Sequence, residues 1–176
     1  IQGPIDEIKK NEHLSVSGRQ YLALMEKNAV KMLQLVNQIL DFRKIQNGKM
    51  RLHVSLIDMN NLLETFYQEF HVLAEDRNIT YIFHLPNNHV MAWGDAEKLG
   101  IVVRNLLSNA FKFTHKDGMV NVTLESLDDG KRCRIKVEDD GVAIPKSQLD
   151  VIFDRFTQAD NAKDDTSYTG TGIGLS

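Results

Sequence analysis

Asn105, Asn109 and Lys112 stand at i, i+4 and i+7 within residues 101–113, a stretch free of glycine and proline. On an α-helix these three fall within roughly 60° of one another. The ridge then carries two carboxamides and an ammonium beside an apolar stripe of Leu99, Val102, Val103, Leu106 and Ala110. A carboxamide oxygen is a hard ligand that suits Mg2+, and a lysine one turn further on suits a phosphate. Polar ridges are also the ordinary solvated face of surface helices, so the ridge alone does not decide between the two.

A second candidate lies at the end of an alternating run. Arg132, Arg134, Lys136, Glu138 and Asp140 share one parity, and Cys133, Ile135, Val137 and Asp139 share the other. Side chains of a strand alternate faces, so the apolar set points inward and takes Asp139 with it. A carboxylate at the end of a buried face needs a donor, and the exocyclic amine of adenine is one. Asp-Asp-Gly is equally a turn signal. Parity selects Asp139 over Asp140, and Gly141 would let the backbone pass close to a flat ring. A third stretch, Thr169-Gly170-Thr171-Gly172-Ile173-Gly174-Leu175, can expose consecutive N–H groups that hold phosphate at a helix start. Its spacing is neither the Walker pattern nor the dinucleotide fingerprint, and plain flexibility reads from it equally. Finally, Ile152-Phe153-Asp154-Arg155-Phe156 offers two rings as an anchor, or as core, ahead of a polar, lid-like run at 157–169.

The elements that must position these residues follow from capping and periodicity. Residues 5–12 read as helical and residues 15–18 as a turn. From 19 to about 46 there is neither Gly nor Pro, and Leu22, Met25, Ala29, Met32, Val36 and Ile39 alternate spacings of three and four. That is a heptad seam, pointing to a helical hairpin that pairs with a second chain, and Asn47-Gly48 ends it. Residues 50–57 alternate as a strand. Asp58 caps a helix to about Asp76, and Asp95 caps another to about Phe113. Residues 79–85 and 90–93 are β-rich. Strands at 119–127 and 132–138 flank the turn signal Asp128-Asp129-Gly130, and a short helix is expected near 146–154. The organisation is a helical segment at 1–48 and a mixed α/β domain at 49–176.

The chain has 176 residues, with 21 Lys plus Arg against 24 Asp plus Glu, a formal charge of −3. That balance offers no case for nucleic acid. At 42% hydrophobic and 26% charged residues the composition is globular. No stretch approaches the roughly 18 apolar residues of a membrane span, so no direct membrane contact is expected. One cysteine, Cys133, precludes an internal disulfide, and with no signal-peptide pattern the cytoplasm is the expected compartment. The start at Ile1-Gln2-Gly3 and the stop inside a glycine-rich turn read as cuts through a longer polypeptide.

Together and in this order, the motifs resemble the catalytic domain of sensor histidine kinases. Asn105-Leu106-Leu107-Ser108-Asn109-Ala110-Phe111-Lys112-Phe113-Thr114 resembles the family's asparagine box. Val137-Glu138-Asp139-Asp140-Gly141-Val142-Ala143-Ile144-Pro145 resembles its first glycine box, residues 152–156 the phenylalanine box and residues 170–175 the second glycine box. Leu33-Gln34-Leu35-Val36-Asn37-Gln38-Ile39-Leu40-Asp41-Phe42 is similar to the second helix of the dimerisation and phosphotransfer domain, with a texture like that of hybrid sensors, which also carry a receiver domain.

The resemblance implies an α/β fold. It is an ATP-binding two-layer sandwich of the gyrase and chaperone ATPase kind, preceded by a helical-hairpin dimerisation segment and cut short at its C-terminus. By resemblance Asn109 would ligate Mg2+, Asn105 and Lys112 would contact phosphates, and Asp139 would bind the adenine amine. Gly141, Gly172 and Gly174 would supply close backbone, with Gly170, Thr171 and Leu175 in the same nucleotide site. The reaction implied moves the γ-phosphate of ATP to a histidine and then to an aspartate of a response regulator, within a homodimer on the cytoplasmic side of a membrane-anchored sensor. A nucleotide-binding pseudokinase, or a related ATPase or serine kinase of the same fold, is the alternative. Intact Asn109, Lys112, Asp139 and Gly172 argue against the first, and the heptad helix against the second.

Three departures from the family pattern stand out. Ala143 replaces the second glycine of the first glycine box, which could narrow the adenine side. Ile101 replaces a common glutamine one turn before Asn105. None of the six histidines, His13, His53, His71, His84, His89 and His115, has the phosphoacceptor context of an acidic neighbour and a nearby proline. Residues 1–5 look like sequence just downstream of that motif, so the chain alone is expected not to phosphorylate itself on histidine.

Overall fold

The computed structural model describes residue 8 and residues 15–152. The chain divides into two compact units, Ile1–Arg51 and Leu52–Ser176.

The first unit is built on helix α1, Val16–Gln46. Residues 15–18 start this helix and do not form the expected turn. The Ser15 hydroxyl accepts from the Gly18 N–H at 3.1 Å, satisfying one of the orphan donors that every helix start leaves. Arg43 and Lys44 in the last turn oppose the negative end of the helix dipole. Asn47 closes it, and Gly48 turns the chain at φ 62°, where glycine has no Cβ to strain. Of the heptad positions, Leu22 and Ala29 are buried, whereas Met25, Met32, Val36 and Ile39 are each more than half exposed.

In the second unit, β1 (Ser55–Asp58) pairs antiparallel with β3 (Met91–Gly94) in a two-stranded ribbon. A three-stranded mixed sheet runs in the order β2 (Thr80–His84), β4 (Met119–Leu127), β5 (Arg132–Asp139). β2 lies parallel to β4, and β5 antiparallel to it. Among the described residues the unit also has two α-helices, α2 (Met59–Asp76) and α3 (Ala96–Phe113). β1 is shorter than the alternation at 50–57 suggests. Its ladder begins at Ser55 opposite Gly94, because Asp95 ends β3 and takes the His53 N–H on its carboxylate at 2.9 Å.

Asp58 and Asp95 cap their helices as the sequence indicates. Asp58 accepts from the Asn60 and Asn61 N–H groups and Asp95 from that of Lys98. On α2 the buried stripe is Met59, Leu63, Phe66, Phe70 and Ala74. On α3 it is Gly100, Val103, Leu107, Ala110 and Phe111. That stripe is rotated from the expected one, and Val102 is exposed. Val120, Val122 and Leu124 bury the matching face of β4, and all these apolar side chains join one core. Phe111 is its hub, with ring centroids 5.3 Å from Phe70 and 4.9 Å from Tyr81. Burial pushes the Tyr81 phenol well above its ordinary value. Asp128 and Gly130, at φ 52° and 86°, make the β4–β5 connection. The expected helix at 146–154 reduces to one 3-10 turn, Lys146–Gln148, its end falling outside the described residues.

Candidate functional site

Helix α3 is fixed at its start and at mid-length by side-chain contacts. At its start the Asp95 carboxylate, buried, holds the backbone N–H groups of His53 at 2.9 Å and Lys98 at 3.1 Å. Those two donors keep the carboxyl below the usual carboxylate range, since they favour its charged form. Glu97 in the first turn adds favourable charge at the positive end of the helix. Arg104 grips Glu69 of α2 with two hydrogen bonds, at 2.8 and 2.9 Å, and its guanidinium lies over the Phe66 ring.

The polar ridge sits on the flank of this helix. Asn105, Asn109 and Lys112 are all half-buried, on the side of the helix turned away from the buried Val103, Leu107 and Ala110. Among the described residues, no side-chain hydrogen bond engages either the Asn105 or the Asn109 carboxamide. The Lys112 ammonium lies 4.7 Å from the centroid of the Phe113 ring. Also among the described residues, no three His, Cys, Asp or Glu side chains cluster as a metal cage. One carboxamide oxygen beside a phosphate-bearing ligand suits Mg2+, which keeps several waters and takes only one or two protein ligands.

The last turn of α3 is where the second candidate arrives. Asp139 pairs with Val120 in the β4–β5 register, so it stands on the core-facing parity, as its alternation indicates. It is exposed, not buried; among the described residues it is the last residue of β5, which ends the strand order. Its carboxylate accepts from the Gly141 N–H at 3.0 Å. Asp140, on the other parity, is spent on the sheet. Its carboxylate accepts from the Met119 N–H at 2.8 Å.

Gly141 lies against the end of α3. A methyl group built there would overlap the Phe113 carbonyl and come within 2.8 Å of the Thr114 nitrogen. The next residue, Val142, donates its N–H to that same carbonyl at 3.2 Å. The Asp139-Asp140-Gly141 turn therefore meets the end of the helix that carries the ridge at Phe113, 26 residues from Asp139 along the chain. Ala143 is exposed, so its methyl group fills no packed space in the unit. Gly170, Thr171, Gly172, Gly174 and Leu175, the rings of Phe153 and Phe156 and the polar run at 157–169 lie outside the described residues.

Sequence reasoning misses Arg77. Its guanidinium donates to the carbonyl of Phe111 and, at 2.6 Å, to that of Thr114. No spacing rule signals this, because the partners are 34 and 37 residues away. Among the described residues, no helix is long and apolar enough to cross a membrane.

Comparison with known proteins adds independent findings. Residues 94–176 match the family model described as histidine kinase-, DNA gyrase B-, and HSP90-like ATPase. Hybrid signal transduction histidine kinase D of Dictyostelium discoideum is 35% identical over 179 aligned residues, which cover 100% of this chain and 12% of that protein. Full-length ShkA in complex with AMPPNP superposes with a TM-score of 0.73 at 26% identity, covering 94% of this chain and 34% of that one. The catalytic domain of histidine kinase ThkA superposes at 0.59 and 27% identity, covering 72% of this chain and 76% of that domain. The α/β arrangement with a mixed sheet described above is the fold of these catalytic domains.

Proposed function

Through residues 94–176 this chain belongs to the histidine kinase-, DNA gyrase B-, and HSP90-like ATPase family, and with histidine kinase relatives along its whole length it is a histidine kinase catalytic segment; from that premise we propose how its residues act. ATP lies across the junction at Phe113. Asp139 accepts from the adenine amine, with the Gly141 backbone against the ring. Lys112 and Asn105 face the phosphates, and Gly170, Thr171, Gly172, Gly174 and Leu175 are assigned to the same nucleotide site. Asn109 offers its carboxamide oxygen to Mg2+, which supplies charge neutralisation on the phosphates when bound.

In the reaction proposed, the γ-phosphoryl group leaves the β–γ bridging oxygen and bonds to an imidazole nitrogen of a histidine outside these residues. ADP departs, and the phosphoryl group passes to an aspartate of a response regulator. The protein's part is positioning and charge stabilisation. The exposed Met25, Met32, Val36 and Ile39 of α1 support pairing with a second copy. The likeness to sensor kinases supports a sensor anchored to a membrane with this segment on the cytoplasmic side.

The observation that carries the reading is the contact of Gly141 and Val142 with the Phe113 carbonyl, which supports bringing the Asp139 turn to the end of the helix that carries Lys112. Calorimetric titration with Mg-ATP tests it, with Asp139→Asn alongside. Binding by the chain, weakened about tenfold or more in the variant, is the expected result. Equal binding by both would remove Asp139 from the adenine contact, and no binding by either would overturn the site.

A further inference from the structure

Resting on that nucleotide reading, we infer that Arg77 is a positioning residue for ATP, holding the turn on which the phosphate side and the adenine side of the site meet. The last carbonyls of an α-helix have no partner within it, and they carry the negative end of its dipole. On α3 the carbonyls of Phe111, Phe113 and Thr114 are each met from outside the helix. Arg77 donates to those of Phe111 and Thr114, and the Val142 N–H to that of Phe113.

The Arg77 backbone is itself fixed. It ends α2, and its carbonyl accepts from the Asp117 N–H at 3.3 Å. Asn78 follows at φ 53°, and its side chain donates to the Asp117 carboxylate at 2.6 Å. Asp117 is also left-handed, at φ 67°. Two tight turns are thus laced side by side, and the guanidinium projects from one of them into the end of α3. Thr114, fully buried, closes the arrangement by donating its hydroxyl to the Ala110 carbonyl at 2.7 Å.

Two consequences follow for a ligand. Lys112 stands within the turn that Arg77 holds, while Gly141 is seated on its Phe113 carbonyl, so Arg77 sets the spacing between the phosphate-facing and adenine-facing groups. Its positive charge also offsets the partial negative charge of the helix end, which would otherwise oppose phosphates near Lys112. A planar fork with several donors suits two carbonyls at once, and an ammonium is a point charge without that fork.

The test is to titrate the whole chain, and its Arg77→Met and Arg77→Lys variants, with Mg-ATP and separately with adenosine, checking each fold by circular dichroism. ATP spans both ends of the site and adenosine only one. Arg77→Met is expected to weaken ATP about tenfold and adenosine less than about twofold. Arg77→Lys, which keeps the charge, is expected to recover part of the loss. Should Arg77→Met fail to fold, the ratio of ATP to adenosine affinity in Arg77→Lys carries the test. Equal weakening of both ligands would reduce Arg77 to a support of the fold and overturn the inference, as would unchanged affinities. No binding by the unaltered chain would overturn the nucleotide reading itself, and the inference with it.

Discussion

Leu63 on α2 and Leu33 on α1 are the same residue on two well-formed helices, yet Leu63 is 0% exposed and Leu33 48%. The contrast runs along both helices, except at the buried Leu22 and Ala29 of α1. The α2 stripe closes on α3 and the sheet, whereas Met25, Met32, Val36 and Ile39 of α1 remain open to solvent. Apolar periodicity states that a helix has a face to bury. It does not state whether the partner comes from the same unit or from another molecule.

Leucine truncation gives the largest expected difference. Leu63→Ala should cost the second unit about 3–5 kcal/mol, by loss of transfer energy and creation of a cavity. Leu33→Ala should stay within about 0.5 kcal/mol in dilute chain. Denaturant melts of both variants measure this, and a cost at Leu33 that grows with protein concentration would show α1 covered by a second copy. Gly141→Ala comes next. Its methyl group overlaps the Phe113 carbonyl, so about 1–3 kcal/mol of strain is expected, together with loss of Mg-ATP binding. Retained binding would separate the junction at Phe113 from the nucleotide site.

Val36→Glu sharpens the comparison from the other side. It should leave the melt of the second unit in place while abolishing any concentration-dependent dimer seen by sedimentation. Arg104→Ala is smaller, about 0.2–1 kcal/mol, since both it and Glu69 are well exposed.

The last prediction concerns acid. Asp95 has its folded pKa held below the ordinary 3.8. Its contribution is therefore complete above that value and is lost as pH falls through the lower, folded pKa. The second unit should lose stability below about pH 4, and Asp95→Asn should flatten that decline. An unchanged acid limb would assign the loss to other carboxylates.

Much of this was legible in residue order. Asp58 and Asp95 mark two helix starts because a cap acts on N–H groups two or three residues ahead. Asn47-Gly48 marks a stop because a left-handed turn favours glycine. The alternation of Val120, Val122 and Leu124 marks the buried face of β4, and parity gives Asp139 of β5 the core-facing register although its side chain is exposed. The four ordered motifs at 105–175 point to the family. Each is a local relation, decided by the period of a helix or strand or by contacts within a turn.

Tertiary structure alone decided the rest. β1 is cut to four residues because the Asp95 carboxylate takes the N–H of His53. The buried stripe of α3 passes through Leu107, leaving Val102 exposed, because Phe66, Phe70 and Tyr81 set which side of that helix is covered. Gly141 must be glycine for the carbonyl of Phe113, and Arg77 serves two carbonyls across 34 and 37 residues. Side-chain periodicity records only that a group is turned inward. Which donor meets which acceptor depends on where separate elements come to rest, and that is settled by packing the whole core at once.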